Sequence, residues 1–533
     1  MKPAFRQLAR KYGAWTALTV LALLPAIVHA DPPVPLAYVL SDLGTVPGTT
    51  GNSFGSGVND KGIVTGGGVF DTSGGPTTAF ISGPNGASPL KPLEGSPGGF
   101  GYEGGVGINA SGQVTGWDYT ADGNPRAFLS DPNGGTLHDL GTLPGETGSR
   151  GSAVNDRGQV AGVSGTDTTT LLAFLSDPNG GPLHDLGTLP GGTGSRGSAV
   201  NSSGQVAGVS GTDTTILAFL SEPNGGPLHG LGTTPGGRSA ESADGVNAAG
   251  EVTGRFGTGD GTVHACLSGP NGGALSDLGI LPGGRNSAGY GVNASGQVAG
   301  WADIAEGSNT YHHAFLSGSN GGTLQDLGTL NGVTSEAHAV NDRGQVVGFF
   351  STNDGSSHAF VYSGGVMTDL DSLLTPLSSF KLLYAAYSIS NDGYITGEGL
   401  TSDGLSVHAF LLTPIKAAPK ITVRAAASGV NRAGQRTVTV TLTNTGGAAA
   451  NRLQMTGVTL NGAASDPALS ASPVPTVPET LSNVPGMNTQ TYHFVFKPVP
   501  GLKQALLHVV GSYTDPNNQQ SDMFTASVRL PLR

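Results

Sequence analysis

Most of this chain alternates short β-branched and apolar clusters with turns rich in glycine, asparagine and proline. The clearest unit is Ala153-Val154-Asn155-Asp156-Arg157-Gly158-Gln159-Val160-Ala161-Gly162. A β-branched residue leads in, Asn-x-x-Gly supplies side-chain hydrogen bonding and a residue tolerant of positive φ, and an apolar strand leads out. This combination predicts a tight β-hairpin. The pattern recurs with its asparagine at Asn59, Asn109, Asn155, Asn201, Asn247, Asn293 and Asn341, and an eighth copy places Ser390 in that slot, at intervals of 50, 46, 46, 46, 46, 48 and 49. Eight copies held this closely in register describe a repeat array, in which Asn and Gly serve backbone geometry.

Two further elements recur in each period. Ala-Phe-Leu-Ser begins at Ala127, Ala173, Ala218 and Ala314, and a turn such as Pro132-Asn133-Gly134-Gly135 follows it in several copies. Asp-Leu-Gly begins at Asp42, Asp139, Asp185, Asp277 and Asp326, and is degraded at Lys91-Pro92-Leu93 and Gly230-Leu231-Gly232. Each period therefore predicts about four short strands, the size of one propeller blade. The array opens on Ala37-Tyr38-Val39-Leu40 with no preceding Ala-Phe strand, and closes on His408-Ala409-Phe410-Leu411-Leu412 with no following Asp-Leu-Gly. Each end lacks what the other supplies, so the N-terminal strand is expected to complete the last blade and leave no open edge. The expected fold is all-β, an eight-bladed β-propeller, with an open solenoid as the alternative.

His-Ala-Phe at His313, His358 and His408, together with Asp-Leu-Gly and Asn-x-x-Gly-Gln-Val, resembles the HAF-repeat family of extracellular repeat proteins over roughly residues 37–414. Copies one to four depart from the motif, with Thr78, Arg126, Leu172 and Leu217 in the histidine slot. The resemblance implies an exported bacterial repeat protein and brings no catalytic residue with it.

Outside the array, residues 1–30 read as a signal peptide. Lys2, Arg6, Arg10 and Lys11 are the basic region, Trp15 to Val28 the apolar region, and Val28-His29-Ala30 the cleavage site. No later stretch is apolar for long enough to form a transmembrane helix. The domains expected are 1–30 signal peptide, 31–414 propeller and 415–533 a β-sandwich resembling immunoglobulin-like adhesion modules. The last rests on the alternating Thr437-Val438-Thr439-Val440-Thr441-Leu442 and on the strand-like runs Tyr492 to Phe496 and Leu506 to Val510. Glycine is 89 of 533 residues, and the period assigns it to turns.

Charge separates the two halves. Residues 31–415 carry 11 Lys+Arg against 33 Asp+Glu, a net of −22, whereas residues 416–533 carry 10 against 4, a net of +6. An acidic propeller disfavours nucleic acid and anionic polysaccharide as ligands. The basic C-terminal part suits an anionic surface or contact with its own propeller.

Candidate chemistry is sparse. Cys266, the single cysteine, fills a repeat phenylalanine slot and reads as a buried small hydrophobe. Gly99-Phe100-Gly101-Tyr102-Glu103-Gly104 lacks the strand–helix context of a dinucleotide site. Gly51-Asn52-Ser53-Phe54-Gly55 lacks that of a nucleophile elbow. His264, His313, His358 and His408 share one repeat position and read as strand residues, so no metal is assigned. Asn353-Asp354-Gly355 lacks the remaining ligands of a calcium loop. Trp117 and Trp301 stand eight residues after the hairpin asparagine, where other copies carry Gly67, Val163, Val209, Arg255, Phe349 and Glu398. They are the candidate ligand-binding residues, able to stack on a sugar ring.

The carboxylates mostly recur with the repeat, and the unique Glu103, Glu251 and Glu306 declare no site. We therefore expect a non-enzymatic binding or cell-surface scaffold, secreted or periplasmic, with no cofactor and an extracellular protein or glycan as partner. A propeller-based hydrolase or lyase acting on extracellular polysaccharide is the alternative. Clustered, non-repeating carboxylates at the axis would favour it.

Overall fold

The computed structural model describes residues 38–531 except 48–50, 70–76, 88–89, 94–106, 121, 166–169, 213–214, 235, 237–238, 307–308, 375–377, 416–419, 428–435, 445, 447–449, 463–469, 472–478, 481–488, 497–503 and 515–520. The signal-peptide segment and the run from Gly99 to Gly104 lie outside the described residues. No helix among the described residues is long and apolar enough to cross a membrane.

The repeats fold as a succession of antiparallel four-stranded sheets, eight among the described residues. The third is representative: Ser149–Val154, Val160–Ser164, Leu172–Ser176 and Leu183–Asp185 pair in chain order. In the eighth, Phe380–Ile389, Ile395–Thr401 and Val407–Pro414 supply three strands. Its fourth strand is Tyr38–Asp42, from the other end of the array, paired from Tyr38↔Pro414 to Asp42↔Phe410. The first strands of successive sheets adjoin one another all the way round, the eighth against the first included. This arrangement is a propeller with the first strands around its axis.

Side chains hold the ring at each seam. Eight apolar cores each draw on two consecutive sheets, and one joins Leu43, Ala409 and Leu411 of the eighth to Val58, Val64, Phe80 and Leu90 of the first. The Ala-Phe phenylalanine is the main filler: Phe80, Phe174, Phe219, Phe315, Phe360 and Phe410 are fully buried. Burying each is worth about 2–3 kcal/mol. A serine of five of the described first strands tightens the contact, as where Ala127 N donates to Ser149 Oγ and Ala409 N donates to Ser53 Oγ, both at 2.9 Å. In the Pro-Asn-Gly turn, Asn133 and Gly134 both take positive φ (59° and 73°), and a Cβ on Gly134 would collide with Ile81 of the preceding sheet.

After Pro414 the period stops. Ile421–Ala427, Arg436–Asn444 and Thr489–Phe496 form a three-stranded sheet. Asn451–Gly462, Gln504–Thr514 and Ser521–Pro531 form the body of a second, with short strands at Ser470–Ala471 and Glu479–Thr480. One apolar core is common to both sheets, with Val438, Val440 and Leu442 from the first and Leu453, Met455, Leu507 and Val509 from the second.

Candidate functional site

Residues that repeat are accounted for by the fold. Each hairpin asparagine uses its Oδ1 to accept the backbone N–H groups two and four residues on, as Asn155 does from Arg157 and Gln159. Its Nδ2 donates to the carbonyl of the corresponding residue in the next sheet. The relay runs Asn59 to Asn109, Asn155, Asn201, Asn247, Asn293, Asn341 and lastly Ser390, at 2.9–3.1 Å. Ser390 has no amide with which to continue. There the ring is completed by Asp392 N donating to Asp60 Oδ1 (2.8 Å) and Tyr394 Oη donating to Asn85 Oδ1 (2.7 Å).

The repeated histidines are structural in the same sense. His264, His313 and His408 each bond through Nδ1 to the Asp-Leu-Gly aspartate, Asp277, Asp326 and Asp42, at 3.0 Å. His358 bonds Asp371 at 2.7 Å. Among the described residues one trio of metal-type donors comes together, His358, Asp369 and Asp371 within 4.8 Å of one another. Three of its four carboxylate oxygens take part in bonds within the fold: Asp369 Oδ1 accepts Asp371 N, Asp371 Oδ1 accepts Leu383 N, and Asp371 Oδ2 faces His358. Other tempting residues resolve similarly. Ser53 belongs to the seam, and Glu251 replaces the hairpin glutamine and accepts Asn247 Nδ2 at 2.6 Å. Asp354 accepts Thr352 Oγ1 and Ser356 N within its own turn. Cys266 is fully buried, with its thiol pushed up to about 12 by that burial and by the nearby Asp244 and Asp277.

What does not repeat is a different set. Among the described residues, six of the first strands carry a β-bulge, and the bulged residue stands three positions before the hairpin asparagine slot. A bulge leaves one residue outside the ladder and re-aims its side chain. In the first, third and fourth sheets that residue is serine: Ser56, Ser152 and Ser198. In the sixth, seventh and eighth it is Tyr290, His338 and Tyr387, and the fifth copy has Asp244 in the equivalent position. One arc of the ring therefore carries ionisable and aromatic groups in a slot that is serine in the first, third and fourth copies and Val106 in the second.

These side chains form one connected cluster across the seams. Trp301 Nε1 donates to Tyr290 Oη at 3.0 Å, and the Glu336 carboxylate of the seventh sheet acts electrostatically on the Tyr290 phenol. His338, two residues beyond Glu336, stacks on Tyr387 with centroids 5.3 Å apart and lies 5.4 Å from Phe349. Its Nδ1–H donates to the Ala386 carbonyl at 3.1 Å, which leaves Nε2 as the basic nitrogen. Tyr387 Oη donates to Glu398 Oε1 at 2.7 Å. Tyr290, Trp301, Glu336, His338, Tyr387 and Glu398 are all half-buried. Burial, reinforced by Glu336, pushes the Tyr290 phenol up to about 12, and burial with Glu398 raises Tyr387 as well. Burial also raises Glu398 against the opposing Tyr387 bond, and lowers His338. The arrangement offers aromatic faces, hydroxyl donors, carboxylate acceptors and a neutral imidazole.

Trp301 belongs to this cluster and Trp117 does not. Trp117 lies on Val114–Tyr119 of the second sheet, edge-on to Tyr119 at 5.3 Å, with the Arg150 guanidinium 5.2 Å from its ring centroid. Trp301 lies in the sixth sheet, with one face stacked on His312 at 4.2 Å. Sequence reasoning singled out the Trp301 slot but missed the bulge slot. Aligning the eight copies three residues before the hairpin asparagine would have exposed it.

No protein-family model and no curated protein matches the chain. Among solved structures it is similar to TolB from Acinetobacter baumannii, at 14% identity over 57% of this chain and 80% of that one, with a TM-score of 0.32. It is also similar to the Dos1 propeller, at 11% identity over 71% of this chain and 95% of that one, with a TM-score of 0.40. A Pyrococcus horikoshii acylaminoacyl peptidase aligns at 8% identity over 73% of this chain and 58% of its own length, with a TM-score of 0.37. At these scores the resemblances add nothing to the propeller read from the sheets themselves.

Proposed function

We propose that this chain is an exported, non-enzymatic binding protein whose propeller holds its ligand on the arc formed by the fifth to eighth repeats. One observation carries the reading. The bulge serine of the plain repeats gives way in consecutive copies to Tyr290, His338 and Tyr387. Tyr290 and Tyr387 bond Trp301 and Glu398 within their own sheets, the His338–Tyr387 stack crosses the seam between the seventh and eighth, and Glu336 acts on Tyr290 across the seam before it. A fold needs none of these substitutions, since serine serves the same slot in the first, third and fourth sheets. Unique, convergent polar and aromatic groups in a half-buried setting are the composition of a ligand site.

The HAF-repeat resemblance, signal cleavage near Ala30 and an immunoglobulin-like C-terminal module complete the proposal, with an extracellular protein or glycan as partner. The clustered Glu336 and Glu398 keep a hydrolase or lyase acting on extracellular polysaccharide as the second reading. Against it, both phenols are held protonated, the reverse of what a tyrosinate base requires.

The test is a triple variant, Tyr290→Ser, His338→Ser and Tyr387→Ser, which restores the serine of the plain repeats. Wild type and variant are applied to arrays of extracellular glycans and peptides, and product release from polysaccharides is followed in parallel. Binding lost in a variant that melts like wild type supports the proposal. Identical binding by both sinks it, and product release by the wild type alone transfers the arc to the enzymatic reading.

A further inference from the structure

Two corners of the ring use the same repeat positions in opposite ways. Between the second and third sheets, Trp117 has its cation built in, for the Arg150 guanidinium lies 5.2 Å from the indole centroid. Arg150 stands five residues before its hairpin asparagine. Between the sixth and seventh sheets the tryptophan is kept, as Trp301, but the residue five before Asn341 is Glu336. The position that supplies a cation to one indole supplies a carboxylate beside the other. That carboxylate acts on Tyr290, whose hydroxyl accepts from Trp301 Nε1 and whose phenol the negative charge of Glu336 helps to raise. An aromatic face is attractive to a cation through its quadrupole, and a fixed carboxylate adds the charge partner.

Resting on the proposed ligand site, we infer that the Trp301–Glu336 corner binds the positively charged group of an organic ligand, an ammonium or guanidinium carried by a small molecule or a basic peptide. The rest of the arc fits this chemistry. His338 is uncharged, because burial lowers it, and so does not compete as an internal cation. Glu398 supplies a second half-buried carboxylate, and Asp244 an exposed one at the other end of the arc. The basic side chains nearby are already engaged. His312 stacks on one face of Trp301 and pairs with the buried Asp303 at 3.2 Å, and Arg255 acts on Asp244. The net charge of −22 over residues 31–415 attracts cations toward the ring at low ionic strength.

The experiment uses the mature full-length chain with Trp117→Phe, which leaves Trp301 as the remaining tryptophan after signal removal. Its fluorescence is titrated with arginine methyl ester, an Arg-Gly-Arg peptide and neutral cellotetraose. Saturable quenching by either cationic probe is expected, weakened at least about tenfold by Glu336→Gln and by raised salt. Glu336→Arg rebuilds the Trp117–Arg150 arrangement within the site, so it should abolish the response while the variant melts at or above wild type. Response to both cationic probes identifies a small-molecule-sized site, and response to the peptide alone a peptide site. Cellotetraose binding that Glu336→Gln leaves unchanged, but that the triple serine variant destroys, overturns the cation and keeps the arc. Failure of all three probes to respond overturns the cation as well. Glycan or peptide binding on the arrays that is indifferent to the triple variant overturns the arc itself.

Discussion

The imidazole of His338 lies nearly parallel to the phenol of Tyr387, with centroids 5.3 Å apart and planes 15° apart, and its Nδ1–H is held by the Ala386 carbonyl. Burial lowers its basicity more than that bond raises it. A group depressed on folding stabilises above its unfolded value of 6.5, and that stability is lost as pH falls toward the folded one. His338→Phe preserves a stacked ring without the titration. The variant should therefore lose less stability than wild type between about pH 7.5 and pH 5, read from urea midpoints. An unchanged difference would mean that His338 is not held neutral by the fold.

Glu398 gives the opposite sign. Its carboxyl is raised by burial, so its contribution is present below the unfolded value of 4.5 and lost as pH rises through the folded one. Glu398→Gln keeps an acceptor for Tyr387 without the charge. It should melt higher than wild type at about pH 7 and equally at about pH 4.

Cys266 is sealed in a core drawn from the fourth and fifth sheets. Thiol reagents at neutral pH should leave it unmodified in the native protein and label it fully in about 6 M guanidinium. Rapid native labelling would show that this seam opens.

Asn201 makes five side-chain hydrogen bonds that no other side chain could reproduce, one of them from Ser203 Oγ. Nδ2 reaches Gln205 Oε1 and the Asn247 carbonyl, and Oδ1 accepts from Ser203 and Gln205. Asn201→Ala strands buried donors at one hairpin, and should cost about 2–4 kcal/mol in chemical denaturation.

At the closing seam, His408→Ala removes the bond to Asp42 and should cost on the order of 1 kcal/mol. Deleting residues 38–42 is a larger change, because it bares Val407–Pro414 as an unpaired edge. Concentration-dependent association in light scattering is expected for the deletion and not for the point variant.

The ring was legible because each repeat writes its own strand boundaries. Asn-x-x-Gly and Pro-Asn-Gly need particular backbone angles, and the complementary ends pointed to the Tyr38–Asp42 strand. The candidate site was less legible, because a bulge is invisible in one repeat: Ser152 and His338 sit in similar local sequence, and their shared geometry comes from pairing with the next strand. The His–Asp bonds were hidden for a related reason. His264 and Asp277 are thirteen residues apart and meet only once two strands align, whereas His408 finds its aspartate 366 residues away.

That last separation bears on the order of events as the chain is made. Every other sheet of the repeat array joins strands that follow one another closely and can pair soon after they emerge. Tyr38–Asp42 is synthesised first and finds its partner last, only after Val407–Pro414 exists. Until then the array is a row of locally folded sheets with its two ends free. The final pairing works as a check on completeness, since only an array finished through the eighth repeat can fasten its own beginning.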